Sequence, residues 1–166
     1  MVSRIYLVGF MGTGKTTVGR LVAELMNWSF LDLDDEIERR EGRSITEIFS
    51  QSGEVHFREL EQRCLRSISG PRELVVALGG GTYEDASNRE FIEARGLSVY
   101  LEASFEDVYQ RIEGDGARPL FSSRQRVSEL YNQRLTSYNM ARVRIETSHV
   151  DPAIIAQNIV RLRLEL

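Results

Sequence analysis

GFMGTGKT, residues 9–16, decides how this chain folds. The short apolar run IYLVG (5–9) leads into it, and residues 15–27 follow with Val18, Leu21, Val22 and Leu25 at helical spacing. The order is therefore strand, glycine loop, helix. In that setting the pattern GxxxxGK[ST] predicts a loop that wraps the phosphates of a nucleoside triphosphate. Gly9, Gly12 and Gly14 let backbone N–H groups converge on phosphate oxygens, and the helix N-terminus adds favourable partial charge. Lys15 is placed to bridge to the phosphoryl group that moves, and Thr16 to offer a hydroxyl to Mg²⁺. Gly12, Thr13, Gly14, Lys15, Thr16 and Thr17 are the predicted nucleotide contacts. Lys15 is the single lysine of a chain with twenty arginines. A compositional drain on lysine stops where a compact ammonium has no guanidinium substitute, and the floor of a phosphate loop is such a place.

Outward from the loop, strands and helices alternate to the end. Phe30 to Leu33 reads as a strand, and Asp35 with Glu38 three residues on predicts a capping box opening a helix that Gly42 ends. Ser44 and Glu47 predict another box and a short helix closed by Gly53. Phe57, Leu60, Cys64 and Ile68 then share one helical face, which makes Cys64 a buried thiol. LVVAL (74–78) and LSVYL (97–101) are apolar strands. Residues 85–95 and 104–113 read as helices, 114–123 as a loop, the segment through Leu130, Leu135 and Tyr138 as a long helix, 143–147 as a strand, and a last helix starts near Pro152. Five short strands alternating with helices predict an α/β fold: three layers, a five-stranded parallel sheet flanked by helices.

The bulk properties narrow the function. At 166 residues one domain, 1–166, is expected, with enough length for a core that needs neither disulfides nor structural metals. Hydrophobic residues at 42% and charged residues at 28% suit a soluble protein, and no apolar run approaches the ~20 residues of a membrane span. A glycine loop stands where a signal peptide would have its cleavage site, so the cytoplasm is the expected compartment. One cysteine agrees with a reducing environment, and His56 and His149 make no metal-ligand spacing with it. A net charge of −4 with mixed signs argues against nucleic acid as a partner. Small molecules remain.

In a parallel sheet, ligands gather at the carboxyl ends of the strands. LVVAL ends there in Gly79, Gly80 and Gly81, which supply no carboxylate for a magnesium ion but let the main chain approach a ligand. Asp32 and Asp34 stand at the end of the second strand and project to one side if the extended backbone continues to Asp34. With capping assigned to Asp35, the pair is left for Asp32 toward the metal and Asp34 toward an acceptor hydroxyl. The loop GDGARPLFSS (114–123), within a lid at about 112–124, brings Arg118 as a candidate for the charge developing during transfer.

Together GFMGTGKTTVGR (9–20), LDLD (31–34), GRSITEIFSQSGEVHFRELE (42–61), LGGG (78–81), RPL (118–120) and Arg134 with Tyr138 resemble the shikimate kinases, in order and spacing. The resemblance implies a P-loop kinase fold like that of nucleoside monophosphate kinases, and transfer of the γ-phosphoryl group of ATP to the 3-hydroxyl of shikimate in aromatic amino-acid biosynthesis. It implies Asp34 as base and hydroxyl ligand, Arg58 and Arg134 on the substrate carboxylate, Gly80 and Gly81 as backbone contacts, and Arg118 as the lid arginine. Arg111 is implied beside the adenine, and a monomer is the family's habit. Rival readings are a gluconate or nucleoside monophosphate kinase, against which segment 42–61 speaks, and a non-catalytic nucleotide-binding relative, against which the complete set of site residues speaks.

Overall fold

The computed structural model describes residues 2–68, 73–114 and 123–165. Its elements run β1 (Arg4–Val8), α1 (Lys15–Met26), β2 (Ser29–Asp32), α2 (Leu33–Glu41), α3 (Ile45–Arg66), β3 (Leu74–Ala77), a 3-10 turn (Thr82–Glu84), α4 (Ala86–Glu93), β4 (Leu97–Glu102), α5 (Phe105–Gly114), α6 (Arg124–Tyr138), β5 (Val143–Glu146) and α7 (Pro152–Glu165). All strand pairings are parallel, in the order β2-β3-β1-β4-β5. The predicted elements are all present.

Two apolar layers sandwich the sheet, and the period of two along each strand sorts residues between them. Ile5, Leu7, Val75, Val99 and Leu101 face α1 and α7, where Val18, Val22, Ile155 and Ile159 complete the layer. Tyr6, Val8, Val76 and Tyr100 face the opposite way, onto Leu33, Ile37, Phe57, Leu60, Val108 and Tyr138 from the remaining helices. Cys64 lies in this second layer, and burial pushes its thiol pKa up, so it behaves as an apolar filler. Because β1 is flanked by β3 on one side and β4 on the other, the chain reverses direction across the sheet at β1. The crevice at its carboxyl end is the ligand position of such sheets, and residues 9–14 fill it.

One local feature departs from the pattern read in the sequence, at the start of α2, while the break expected at Gly53 is present. The cap of α2 is Asp32, whose Oδ1 accepts from the backbone N–H of Asp34 at 3.0 Å and of Asp35 at 3.4 Å. Extended backbone thus stops at Asp32, and Asp34 sits in the first helical turn. The carboxylate of Glu38 serves elsewhere, accepting from Ile45 N at 2.8 Å to close the α2–α3 connection. At Gly53 the helical path is broken (φ 81°, ψ 172°), so α3 is two helical pieces joined at a kink, with the Ser44–Glu47 capping box formed at its start.

α1 crosses the sheet closely because Gly19 has no side chain. A Cβ there would lie 2.5 Å from Cε2 of Phe30 and 3.1 Å from Cδ1 of Leu7. Overpacking of this kind costs about 1–3 kcal/mol, and a branched residue adds no helix propensity over glycine large enough to offset it. Gly19→Val should therefore lower the urea midpoint by the equivalent of about 2 kcal/mol. An unchanged midpoint would mean that the Phe30 ring turns aside freely.

Candidate active site

The phosphate-binding turn is built by backbone conformation before any side chain acts. Gly12 (φ 77°) and Gly14 (φ 88°) take left-handed geometry, and Gly14 is the cap residue of α1. A side chain at either position would be strained. Thr13 Oγ1 donates to Phe10 O at 2.8 Å and pins the turn from within. Lys15 Nζ lies across the same loop, donating to Gly9 O at 2.8 Å and Phe10 O at 2.9 Å. Thr16, in the first turn of α1, donates its hydroxyl to Asp32 Oδ2 at 2.7 Å. Asp32 therefore uses both oxygens: one caps α2 and the other meets Thr16.

Three cavities lie in a row across this edge of the sheet. The first, about 620 Å³, is walled by Gly12, Thr13, Gly14, Thr17, Arg111, Thr147, Val150 and Pro152, among others. Arg111 is held there by donation from Nη1 to Gly12 O at 2.8 Å. The second, about 320 Å³, contains Lys15, Thr16, Asp32, Asp34, Asp35 and Gly80, and shares Gly12, Gly14 and Thr17 with the first. The third, about 240 Å³, shares Met11, Asp34 and Gly80 with the second and adds Arg58, Arg134, Gly79 and Gly81 over an apolar floor of Ile45, Phe49, Phe57 and Leu130. Asp34 thus stands at the boundary between the phosphate cavity and the polar-rimmed third one.

Packing at the third cavity explains the triple glycine. A Cβ at Gly79 would lie 2.8 Å from Asp34 Oδ1 and 2.8 Å from Glu61 Oε1, one at Gly80 would meet Arg134 Nη1 at 2.9 Å, and one at Gly81 would collide with the Arg58 guanidinium. The glycines are vacant because functional side chains lie against them. These arginines are in turn held by carboxylates that sequence reading does not single out. Glu61, 1% exposed, accepts from Arg58 Nη1 at 2.9 Å and from Thr82 Oγ1 at 2.5 Å. Glu84 accepts from Arg134 Nε at 3.0 Å. A sequence signal for Glu61 exists: it sits between Leu60 and Cys64 on a face that is otherwise apolar, three residues after Arg58.

Tyr138, fully buried against Tyr100, donates its hydroxyl to Gly80 O. Burial raises its pKa well above the ordinary phenol value, so it stays a donor throughout the neutral range. Of the predicted site residues, Gly12, Thr13, Gly14, Lys15, Thr16, Thr17, Asp32, Asp34, Arg58, Gly80, Gly81, Arg111 and Arg134 converge on this row of cavities. Arg118 and most of the predicted lid lie outside the described residues. Thr147, Val150 and Pro152 wall the first cavity near Arg111; the resemblance puts part of an adenine pocket around 148–152 but singles out no side chain there.

A parallel sheet with a phosphate loop at its switch point, opening onto a second cavity rimmed by a carboxylate and two arginines, defines an ATP-dependent phosphotransferase of the P-loop kind. Comparison with known proteins fixes the family. The family model described as shikimate kinase matches residues 11–163, and the shikimate kinase of Persephonella marina is 41% identical over 157 residues, spanning 94% of this chain and 96% of that protein. The solved structure of shikimate kinase from Acinetobacter baumannii in complex with shikimate superposes with a TM-score of 0.92 at 43% identity, over 98% of this chain and 93% of that one. A gluconokinase from Sinorhizobium meliloti, 19% identical with a TM-score of 0.58 over 97% and 92% of the two chains, shares the fold. The chain belongs to the shikimate kinase family, phosphotransferases that act on the shikimate hydroxyl with ATP.

Removing the Tyr138 hydroxyl takes the donor from the part-buried carbonyl of Gly80, a loss of about 0.5–1.5 kcal/mol. Tyr138→Phe should lower stability by that amount and raise KM for the acceptor more than KM for ATP, because Gly80 is released on the acceptor side. Equal changes in both constants would contradict a local role.

Proposed function

We propose that this chain, as one kinase domain spanning 1–166, transfers the γ-phosphoryl group of ATP to the 3-hydroxyl of shikimate through the residues gathered in the three cavities. The observation that carries the assignment of roles is the placement of Asp34 and Gly80 on the shared border of the phosphate and acceptor cavities. The adenine occupies the first cavity beside Arg111, with Thr147, Val150 and Pro152 on its far wall. The phosphates lie on the turn 9–16, where N–H groups and Lys15 Nζ offset their charge.

Thr16 and Asp32 suit a magnesium ion. Both present oxygen, they already stand 2.7 Å apart at the phosphate cavity, and magnesium is commonly held by one or two protein oxygens together with substrate phosphates and water. When bound, the ion supplies charge neutralisation at the β- and γ-phosphate oxygens. The rest of the chemistry falls to the chain itself. Arg58 and Arg134, on different helices, grip the substrate carboxylate from two directions, while Gly80 and Gly81 bring backbone against the ring. Asp34 accepts the proton of the attacking hydroxyl as the new O–P bond forms and the bond from Pγ to the β,γ-bridging oxygen breaks, with ADP leaving. Arg118 is assigned to the charge on the moving phosphoryl group, delivered by the lid at about 112–124.

We also place the protein in the cytoplasm and take it as a monomer; the lone, buried thiol is in keeping with a reducing compartment. The direct test of function is ADP release from ATP and Mg²⁺ with shikimate, gluconate or a nucleoside monophosphate offered in turn. Shikimate should accelerate it and the others should not. For the mechanism, Asp34→Ala should reduce kcat by about 10²–10⁴-fold while nucleotide affinity, read by calorimetry, stays within a factor of a few. Loss of nucleotide binding in that variant would mean that the roles of Asp32 and Asp34 are exchanged.

A further inference from the structure

The acceptor cavity presents a problem of charge. Among the described residues its two guanidinium groups are contacted by three carboxylates: Arg58 by Glu61 at 2.9 Å and by Glu54 at 3.5 Å, and Arg134 by Glu84 at 3.0 Å. Two positive charges against three negative ones leave the cluster at −1 before shikimate brings a carboxylate of its own. An arriving anion meets net repulsion unless a resident carboxylate gives way.

The three differ sharply in how easily they can leave. Glu61 has a 1% exposed side chain and both of its oxygens engaged, so its departure would strand Arg58 and Thr82 together. Glu84 neutralises an arginine whose side chain is only 7% exposed, and losing it leaves a buried charge. Glu54 has a 69% exposed side chain and touches Arg58 Nη2 only loosely, from the residue directly after the helix break at Gly53. Exposed ion pairs of this sort hold weakly, and the freed carboxylate returns to water at little cost. Glu54 also lines the acceptor cavity beside Arg58.

We propose that Glu54 is an exchangeable counter-ion of Arg58. It occupies Nη2 until the carboxylate of the acceptor takes its place, while Glu61 and Glu84 remain as fixed anchors that aim the two guanidinium groups. The exchange has a consequence for selectivity. A ring that lacks a carboxylate leaves the Glu54–Arg58 pair in place and pays nothing for it, so the glutamate weakens binding of carboxylate-bearing acceptors and leaves neutral ones nearly unaffected. This inference rests on the assignment of Arg58 to the substrate carboxylate.

The test is calorimetric titration of the full chain and its variants with shikimate, with a shikimate analogue carrying a hydroxymethyl group in place of the carboxylate, and with an ATP analogue. Glu54→Gln should bind shikimate about two- to fivefold more tightly, the range set by the strength of exposed ion pairs, with ATP-analogue affinity unchanged. The same variant should widen the preference for shikimate over the neutral analogue, whereas Arg58→Ala should narrow it, because the guanidinium that reads the carboxylate is gone. Unchanged or weaker shikimate binding in Glu54→Gln, alongside a loss of tenfold or more in Arg58→Ala, overturns the exchange and leaves the carboxylate grip intact. No loss in Arg58→Ala overturns the grip itself, and the exchange with it. Tightening in Glu84→Gln but not in Glu54→Gln would move the exchange to Arg134 and overturn the assignment to Glu54.

Discussion

The side chain of Asp32 ties two helices to the end of a strand beside the phosphate turn. One oxygen holds the first turn of α2, the other holds Thr16 in the first turn of α1, and the residue itself ends β2 in register with Ala77 of β3. Two helices and a strand are thereby fixed to one another within a few ångströms of the phosphate turn. The position of Asp34 follows from this. Because α2 begins at Leu33, Asp34 enters a helical first turn whose partial positive charge favours a carboxylate, and it is aimed along the sheet edge toward Gly79. An extended backbone at Asp34 would have set it at a different height over the cavity.

That arrangement separates two kinds of construction. The phosphate cavity is built from backbone: left-handed glycines, a helix N-terminus and one ammonium, all within eight consecutive residues. The cavity next to it is rimmed by side chains from separate elements, Arg58 from α3, Arg134 from α6 and Asp34 from α2, set over a strip of main chain with no Cβ atoms in the way. The row Gly79 to Gly81 supplies that strip, and Tyr138 secures it from below. Buried guanidinium groups require partners, so each arginine arrives with a carboxylate of its own.

The difference accounts for what is legible in the sequence. GFMGTGKT carries its conformation in its own residues, and the apolar runs of β1, β3 and β4 announce a buried parallel sheet, so fold and phosphate site follow from local pattern. The cap of α2 does not. Asp35 and Glu38 have the spacing of a capping box, but the cap falls three residues earlier, on Asp32, whose other oxygen meets Thr16, a tertiary contact that spacing does not encode. Glu84 has no distinguishing neighbour among the 25 acidic residues, since its importance lies in Arg134, fifty residues away. Thr147, Val150 and Pro152 become a wall only when α5 brings Arg111 opposite them.

The same division bears on how relatives of this fold come to differ. A gluconokinase at 19% identity shares the architecture, and in this chain the phosphate turn leaves little room for side chains at Gly12 and Gly14, because its form lies in its backbone path. The acceptor cavity is under no such constraint. Its floor of Ile45, Phe49 and Phe57 and its rim of Arg58 lie on the kinked α3, outside the parallel sheet, where substitutions alter shape and charge without disturbing β1 or α1. With the roles proposed for Arg58 and Arg134, selection for a carboxylate-bearing ring resides in α3, in α6 and in the two glutamates behind them.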